Sequence, residues 1–370
     1  MTLYIGLMSG TSMDGIDAAL LEIGARSMRV LAAATRNWPA ALQARLRRAA
    51  EDSEQIGLTE YGRLDSEAGL EFAQAAAQLL RQAAVPATSI RAIGTHGQTL
   101  LHRPGGEYAF TLQIGDPNII AEQLGIDVVG DFRRRDLAAG GEGAPLMPAF
   151  HAAVFAAVGE SRAVVNIGGI ANVTLLSADG SVAGFDTGPG NCLLDSWVRR
   201  HRHQPYDAGG GWAASGSVDP GLLQRLLAEP YFARRPPKST GRETFSDDWL
   251  ERALSGRQLP TAQVQATLAE LTAATIADAV RDRSGQGPRN IYVCGGGAFN
   301  ADLLTRLARL LPGTRVATTA DCGIAPEHVE AAGFAWLAHR YLSGQPGNLP
   351  SVTGARHGVP LGALYRGRAM

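Results

Sequence analysis

The sequence predicts an α/β protein of two lobes, each built on a mixed sheet flanked by helices. A length of 370 residues with 45% hydrophobic residues is enough for two separate cores. Two similar strand–turn–strand segments open the two halves of the chain. Helical and strand patterns alternate between and after these segments, which favours α/β architecture with an antiparallel portion in each sheet.

The first strand–turn–strand segment covers residues 3–23, with the sequence LYIGLMSGTSMDGIDAALLEI. Apolar alternation on both sides of a polar tip predicts a hairpin. Residues 163–176, AVVNIGGIANVTLL, follow the same plan around a Gly-Gly turn. This match of pattern predicts an internal duplication.

The remaining elements follow from hydrophobic spacing. Helices are predicted over residues 58–84, 192–201, 221–227, 262–283 and 327–342, and strands over residues 90–95 and 290–294. A domain boundary near residue 160 separates an N-terminal lobe, 1–160, from a C-terminal lobe, 161–370. Whether the last helix crosses back to the first lobe is left open.

Composition excludes several classes of function. The net charge of -1 and pI near 6.7 give no positive field for nucleic acid or an anionic membrane, so we expect a small-molecule partner. No basic leader and no run of ~20 apolar residues is present, which predicts a cytoplasmic protein. Three widely spaced cysteines without a CxxC pair predict neither a disulfide framework nor a zinc ribbon.

Lys238 is the only lysine, against 33 arginines (34 basic residues minus one). It stands in PPKST, so the chain has no Walker A loop and no lysine-centred protein-kinase site. Any ATP must be held largely by glycine-rich backbone. The surrounding segment 231–244, which includes RRPPKSTGRETF, is interpreted as a surface excursion or an ordinary connector.

The tip of the first hairpin carries residues suited to phosphoryl transfer, which needs phosphate oxygens held in line and their charge neutralised. Backbone donors, hydroxyls and carboxylates are supplied by Gly10, Thr11, Ser12, Asp14, Gly15 and Asp17. Asp14 and Asp17 are the candidates for a metal-facing oxygen. The same residues are typical of a plain turn, which remains the alternative.

Two further glycine clusters extend this hypothesis. The second hairpin tip, with Gly168, Gly169 and Asn172, lets backbone approach a phosphate because glycine lacks a side chain. The third cluster, VCGGGAFN, places Gly295, Gly296, Gly297 and Asn300 between a strand and a helix, an arrangement that suits adenosine binding at a helix start. A structural strand-to-helix turn is the alternative for the third cluster.

Asp186, in GFDTGPGNCLLD, follows a short apolar strand and opens a Gly-Pro-Gly turn before a helix. A carboxylate held in this way is a candidate general base. Its alternative role is helix capping, although Asn191 stands closer to the helix and could fill that position.

Polar loops after short strands are candidate sugar contacts. They contain His96 and Gln98 in GTHGQT, Asp116 and Asn118 in GDPN, and the arginines of GDFRRRD. A satisfied buried histidine and an ordinary Asp-Pro-Asn turn are the structural alternatives. Several such loops in one lobe together indicate a binding cleft.

Across its full length the chain resembles the anhydro-N-acetylmuramic acid kinases of bacterial cell-wall recycling. The resemblance rests on GLMSGTSMDGIDAAL, GTHGQT, GDPN, DFRRRDLAAGGEGAPLMP, VNIGGIANVTLL, GFDTGPGN and VCGGGAFN, in this order. It implies the two-domain actin-like ATPase (ribonuclease H-like) fold. It also implies ATP and Mg²⁺ as cofactors, domain closure and a homodimer.

The resemblance further implies the reaction: ring opening of 1,6-anhydro-N-acetylmuramic acid coupled to phosphorylation of O6. Asp186 matches the catalytic aspartate and Glu330 an acidic residue at the sugar, whose alternative role is charge stabilisation of a helix start. Arg133 is the candidate for the lactyl carboxylate, with Arg134 and Arg135 left open. The ATP contact implied covers Gly10 to Asp17, including Met13 and Ile16, and Gly188 and Asn191 are expected at the substrate.

Two competing hypotheses stay open at this point. Another small-sugar or polyol kinase would share the nucleotide cradle but differ in its substrate loops. An ATP-regulated sensor or chaperone-like ATPase would need a surface for a peptide or protein, and no extra domain for this follows the final predicted helix.

Overall fold

A computed structural model describes residues 1–25, 27–53, 55–281 and 287–368. The chain forms two compact units: unit 1 contains Met1–Phe150 and His328–Met370, and unit 2 contains His151–Glu327. The chain passes from unit 1 to unit 2 within a helix, Met147–Phe155. It re-enters unit 1 at His328, a return that the sequence left open.

Unit 1 is built on a seven-stranded mixed sheet. Its strands are β1 (Thr2–Ser9), β2 (Ile16–Ile23), β3 (Met28–Arg36), β4 (Ile90–Arg103), β5 (Phe110–Ile114), β6 (Val128–Gly130) and β12 (Ala363–Tyr365). They lie in the order β12-β6-β4-β1-β2-β3, with β5 paired to β4. The β1–β2 and β2–β3 pairs are antiparallel, and β1–β4 and β4–β6 are parallel.

Unit 2 repeats this arrangement with five strands. They are β7 (Arg162–Ile167), β8 (Ile170–Leu176), β9 (Val182–Pro189), β10 (Asn290–Cys294) and β11 (Arg315–Thr318). The order β11-β10-β7-β8-β9 has antiparallel β7–β8 and β8–β9 pairs and parallel β7–β10 and β10–β11 pairs. The strands β6-β4-β1-β2-β3 of unit 1 have the same succession of parallel and antiparallel pairs as these five strands. This confirms the predicted duplicated mixed sheets.

Helices flank both sheets. In the described residues unit 1 has α1 (Ala40–Glu51), α2 (Leu58–Ala83), α3 (Pro117–Leu124), α4 (Phe132–Ala138), α12 (Val329–Leu342) and α13 (Pro350–Thr353). The connecting helix Met147–Phe155 is α5. Unit 2 has α6 (Cys192–Arg202), α7 (Gly211–Ser215), α8 (Pro220–Leu227), α9 (Asp247–Leu254), α10 (Thr261–Val280) and α11 (Ala301–Leu310).

The predicted elements are found with small shifts of their ends. Both hairpins, the strand at residues 290–294 and the long helix beginning at residue 58 are confirmed. The strand expected at 90–95 continues to Arg103 as β4, which then pairs with β5. The helix expected over 262–283 ends at Val280, and positions 282 and 283 lie outside the described residues.

Helix α12 packs directly on the central strands of unit 1 because two glycines remove the side chains between them. A Cβ built on Gly6 of β1 would lie 1.8 Å from the Ala331 carbonyl oxygen, and one on Gly94 of β4 would lie 2.0 Å from the Phe334 carbonyl oxygen. The helix backbone therefore touches the strand backbone. This contact fixes the position of Glu330 at the start of the helix.

Each unit has its own apolar core. The core of unit 1 lies between its sheet and helices α1, α2 and α3, with Phe72 and Leu79 fully buried. The core of unit 2 packs α6, α8 and α10 against its sheet. Among the described residues, no helix combines the length and the apolar character required to cross a membrane.

Candidate functional site

The tip of the first hairpin, residues 10–15, is held through its carbonyl oxygens. The donors are side chains of unit 1: Gln98 Nε2 to Gly10 O (3.3 Å), Arg47 Nη2 to Ser12 O (3.2 Å), Gln43 Nε2 to Met13 O (2.7 Å) and Ser9 Oγ to Gly15 O (2.8 Å). The chain turns at Met13, which is buried and has a positive φ of 55°. The tip is therefore a fixed structure and not a loose turn.

The N–H groups of the same tip are largely uncommitted. Within the described residues only Met13 N donates, to the Gly10 carbonyl, while the N–H groups of Thr11, Ser12 and Asp14 make no hydrogen bond. Thr11 and Asp14 are exposed, and a Cβ on Gly10 would meet only Ser12 Oγ within 4 Å, at 3.8 Å. Successive free N–H groups over fixed carbonyls suit an anion such as a phosphate.

The two acidic residues of this hairpin have different surroundings. Asp17 is the second residue of β2, and its Oδ1 accepts a 2.6 Å hydrogen bond from Thr35 Oγ1. Asp14 is exposed and lies 3.5 Å from Arg47 Nη2. No group of three or more metal-ligating side chains exists among the described residues. One or two carboxylates nevertheless fit Mg²⁺, which takes its remaining ligands from water and substrate phosphates.

His96, which is buried, and Arg133, which is partly buried, form a pair in unit 1. Arg133 Nε donates to His96 Nε2 at 2.9 Å, and His96 Nδ1 lies 2.9 Å from the Gly97 carbonyl oxygen. A carbonyl only accepts, so Nδ1 carries the proton and the ring is neutral. Burial, reinforced by the Arg133 charge, lowers the pKa of His96 well below its ordinary value.

The environment of Arg133 distinguishes it from its neighbours. Its Nη1 donates to the Gly143 carbonyl at 2.8 Å, whereas Arg134 and Arg135 are exposed on the same helix. Burial lowers the pKa of Arg133 to about 10, so it stays cationic at neutral pH. These contacts favour Arg133 among the three arginines that the sequence left open.

Glu330 shares this environment. Burial raises its pKa above the ordinary value, the Arg133 charge acts in the opposite direction, and the Asp17 charge raises it further. Two carboxylates and one arginine thus influence one another in unit 1.

Asp136 supports the surroundings of Arg133, and the sequence did not identify it. It is fully buried, and its Oδ2 accepts the Gly143 N–H at 2.7 Å. Its Oδ1 accepts from Asn348 Nδ2 at 2.6 Å and Thr353 Oγ1 at 2.8 Å. Since the Gly143 carbonyl holds Arg133, Asp136 positions that arginine. Asn348 and Thr353 lie more than 200 residues away, so no local pattern reveals these two partners.

Two predicted sugar loops also have structural tasks. Asp116 is the N-cap of α3, and its Oδ1 accepts from Asn118 N at 2.8 Å and Asn118 Nδ2 at 2.9 Å. Gln98 is fully buried beneath the first tip, and its Oε1 has no hydrogen-bond partner in the described residues. The local turn alternative therefore accounts for the Asp116 carboxylate, while Gln98 supports the first tip.

The second tip, Gly168-Gly169, is also held through carbonyl oxygens, but its donors are backbone groups. Asn191 N donates to Gly168 O at 2.8 Å, and Gly190 N and Cys192 N donate to Gly169 O at 2.9 and 3.1 Å. The N–H groups of both glycines make no hydrogen bond in the described chain. This tip therefore offers donors in the same way as the first.

Asp186 lies inside β9, which corrects the expectation that it follows a strand. It pairs with Asn172 beside a bulge in which Thr187 is the extra residue. Helix α6 begins six residues later at Cys192, and Asp186 does not cap it. Its Oδ2 instead accepts the Thr240 N–H at 3.0 Å. Burial raises the pKa of Asp186 to about 6, against the lowering effect of that hydrogen bond.

The segment 231–244 makes three hydrogen bonds with Asp186. Tyr231 Oη donates to the Asp186 carbonyl at 2.7 Å, and Asp186 N donates to the Lys238 carbonyl at 3.2 Å, in addition to the Thr240 contact. The sequence interpretation as a surface excursion or plain connector missed this role. Two aromatic residues, Tyr231 at the start of the segment and Phe245 directly after its end, were the available signal, since their ring centroids lie 5.8 Å apart.

Two further predicted substrate residues contribute through packing. Gly188 has a positive φ of 146°, and a Cβ there would meet the Phe232 ring at 2.7 Å. Asn191 stands at the N-cap position of α6 without capping it, and its Nδ2 donates to the Ile167 carbonyl at 3.1 Å. Both residues fix the turn that holds the second tip.

The third glycine cluster combines packing with one open position. A Cβ on Gly295 would lie 2.3 Å from Asn166 Oδ1, and one on Gly297 would lie 2.3 Å from Ile167 Cγ2. Gly296 has only Asn191 Nδ2 within 4 Å, at 3.6 Å. Asn300 Oδ1 caps α11 by accepting the Leu303 N–H at 3.1 Å. Gly296 is thus the member of this cluster with free space for a ligand.

Comparison with known proteins gives a match over nearly the whole chain. A family model described as anhydro-N-acetylmuramic acid kinase matches residues 2–367. The protein of that name from Xanthomonas campestris pv. campestris (strain 8004) is 55% identical over 366 residues, covering 98% of this chain and 97% of the relative. The one from Shewanella oneidensis is 50% identical over 365 residues, covering 98% of both.

Among solved structures, component A of (R)-2-hydroxyglutaryl-CoA dehydratase from Acidaminococcus fermentans aligns at 11% identity with a TM-score of 0.48. The alignment covers 90% of this chain and 96% of that chain.

Proposed function

The chain belongs to the anhydro-N-acetylmuramic acid kinase family, and we propose that it opens the 1,6-anhydro ring of that sugar with water while phosphorylating O6 from ATP. The products are N-acetylmuramic acid 6-phosphate and ADP. The observation that supports this reaction most directly is Asp186. Its carboxyl group is fixed by a backbone N–H and has a pKa of about 6, close to what a general base needs at neutral pH.

In the proposed reaction Asp186 accepts a proton from the water that attacks the anomeric carbon. The bond between that carbon and O6 breaks, and O6 takes the γ-phosphoryl group as the bond to ADP breaks. One base therefore serves both bond changes, because phosphorus accepts the charge that develops on O6. Thr240 and Tyr231 hold Asp186 in place for this step.

Phosphate binding is assigned to the two tips. Fixed carbonyls leave N–H groups of residues 10–15 and of Gly168 and Gly169 for phosphate oxygens. The open position at Gly296 is assigned to the nucleoside. Asp17, with Asp14 as the alternative, would hold a magnesium ion, which when bound neutralises phosphate charge.

Sugar binding is assigned to unit 1. Arg133 is partly buried, cationic and already oriented by His96 and Gly143, so its guanidinium can hold the lactyl carboxylate with two hydrogen bonds. Glu330, with its raised pKa, is assigned to the sugar and to orienting the attacking water. The homodimer that the resemblance implies and the cytoplasmic location that the sequence predicts are also proposals, and sedimentation velocity would test the first.

The decisive experiment is incubation with ATP, Mg²⁺ and anhydro-N-acetylmuramic acid in ¹⁸O-labelled water, followed by rapid mass spectrometry. The proposed reaction adds one labelled oxygen at C1 and a phosphoryl group at O6. The control is unlabelled product kept in labelled water in the absence of enzyme, which measures how much label enters by exchange at the anomeric hydroxyl. A phosphorylated product that lacks the added water would indicate an ordinary sugar kinase. ATP hydrolysis that leaves the sugar unchanged would indicate an ATPase of another class.

A further inference from the structure

We propose that Arg242 binds the γ-phosphoryl group at the second tip and stabilises its charge during transfer. This inference rests on the proposed function, because it takes Gly168-Gly169 as a phosphate tip. Arg242 lies within segment 231–244, which holds Asp186, and it was not among the candidate site residues that the sequence singled out.

The first support is contact with the tip. A Cβ built on Gly169 would lie 2.9 Å from Arg242 Nη2 and 3.1 Å from its Nε. The guanidinium therefore covers the face of Gly169 where any other residue would place its side chain. A glycine here makes room for an arginine, beside N–H groups that have no partner within the described chain.

The second support is that the guanidinium is uncommitted. Arg242 is exposed and makes no hydrogen bond or ion pair with any residue that the structure describes. Its charge still acts locally, since it opposes the burial that raises the pKa of Cys192 at the start of α6. An arginine with free donors in a fixed fork is suited to phosphate oxygens.

The third support is that Arg242 lies on segment 231–244, the segment that also holds Asp186. Thr240, two residues before Arg242, donates its N–H to the Asp186 carboxylate, and Tyr231 anchors the start of the segment. One segment therefore positions the base and delivers the cation to the tip. An arginine supplied from the same chain is a known way to stabilise a phosphoryl transition state, and it is worth roughly 10³- to 10⁵-fold in turnover.

The test compares Arg242→Ala, Arg242→Lys and Arg235→Ala. Arg235 is an exposed arginine of the same segment, so its variant makes the same change of charge away from the tip. Calorimetric titration with a β,γ-imido ATP analogue and with ADP, each with Mg²⁺, separates a γ-phosphoryl contact from general attraction. Melting temperatures check that all variants are folded.

We expect Arg242→Ala to weaken analogue binding about tenfold or more, while ADP binding stays within about twofold, since a hydrogen bond to a charged group is lost only where the γ-group exists. Turnover should fall at least ~100-fold. Arg242→Lys should recover part of both losses because it keeps the charge, and Arg235→Ala should match wild type.

Equal weakening of analogue and ADP, or no change of either, would overturn the assignment. The two nucleotides also separate this proposal from the proposed function. If the wild-type protein does not act on the anhydro sugar, the function fails, but the difference between analogue and ADP binding still decides the role of Arg242.

Discussion

The two hairpin tips offer similar N–H groups but are held by different means. In the first tip the carbonyls are fixed by side chains from distant parts of unit 1, such as Gln43 and Gln98. In the second they are fixed by backbone N–H groups of residues 190–192, which directly follow β9. The second tip is therefore specified by a short local sequence, whereas the first depends on several remote side chains and is open to change by single substitutions.

The candidate acidic residues of the two units, Glu330 and Asp186, also differ in the kind of group that surrounds them. Glu330 is surrounded by the charges of Arg133 and Asp17, whereas the Asp186 carboxylate is held by the backbone N–H of Thr240.

If Asp186 alone transfers the proton, Asp186→Asn should lower turnover at least ~100-fold while ATP-analogue binding is kept. Glu330→Gln, which changes only orientation, should cost about tenfold. Steady-state kinetics and titration calorimetry check both.

The control for this pair is Asp179→Asn, an exposed turn aspartate of unit 2 whose partner is Ser181. It should leave turnover unchanged. Near-normal turnover of Asp186→Asn, or a greater loss in Glu330→Gln, would place the base in unit 1.

The second tip should be disrupted only by a change of backbone. A Cβ on Gly190 would lie 2.3 Å from the Gly168 carbonyl oxygen, so Gly190→Ala must displace the tip. A displacement of about 1 Å can cost ~100-fold in kcat/KM. We expect a loss of roughly 10- to 100-fold in kcat/KM for ATP. Gly211→Ala is the matched control, because a Cβ there meets nothing within 4 Å. Wild-type kinetics for Gly190→Ala would remove the second tip from the site.

The first tip should respond to loss of a side chain, and by less. Gln98→Leu removes the hydrogen bond to the Gly10 carbonyl. One such bond is worth about 0.5–1.5 kcal/mol, so KM for ATP should rise about 2- to 10-fold with little change in melting temperature. Gln82→Leu, an exposed position on α2, is the control. An unchanged KM would show that the first tip does not depend on its remote anchors.

The smallest expected effect is on stability. Burial raises the pKa of Asp186 to about 6, so the folded state resists its ionisation. This unfavourable contribution is present in full above pH 6 and disappears as pH falls toward the ordinary carboxyl range near 4. Asp186→Asn removes it and should raise the free energy of unfolding by up to about 3 kcal/mol at pH 7.5, because a pKa shift of one unit corresponds to about 1.4 kcal/mol.

Denaturant unfolding of wild type and Asp186→Asn at pH 7.5 and pH 4 measures this difference. The gain should disappear at the lower pH. A variant that is equally stabilised at both values would owe its stability to something other than the charge of Asp186.

Local patterns were enough to predict the duplicated sheets, because the alternation of strands and the turn residues are contained in short segments. They also made Asp186, which stands beside the Gly-Pro-Gly turn, a candidate general base, and that role stays a prediction. They did not identify Thr240, 54 residues from Asp186, or the contact of Asp136 with Asn348, 212 residues away. Such hydrogen bonds depend on how the chain folds back on itself, and no spacing within either segment encodes them.

Local patterns also could not separate residues that bind a ligand from residues that stabilise the fold. Asp116 and Asn300 are helix caps, and Gly295 and Gly297 are required by close packing. The same residue types would occur at a ligand contact. Among the arginines after Asp131, only the surroundings of Arg133 distinguish it, since its neighbours differ in exposure and not in chemistry.

The packing of α12 on Gly6 and Gly94 has a consequence for the order of synthesis. The sheet that begins the chain is covered by a helix that is completed about 190 residues after Phe150, the end of the first part of unit 1, a delay of roughly 10–40 s at 5–20 residues per second. During that time the backbone at both glycines lacks its cover. We therefore expect nascent chains that end before Val329 to expose this face to proteases and to bind apolar dyes, and those that extend past Leu342 to be protected.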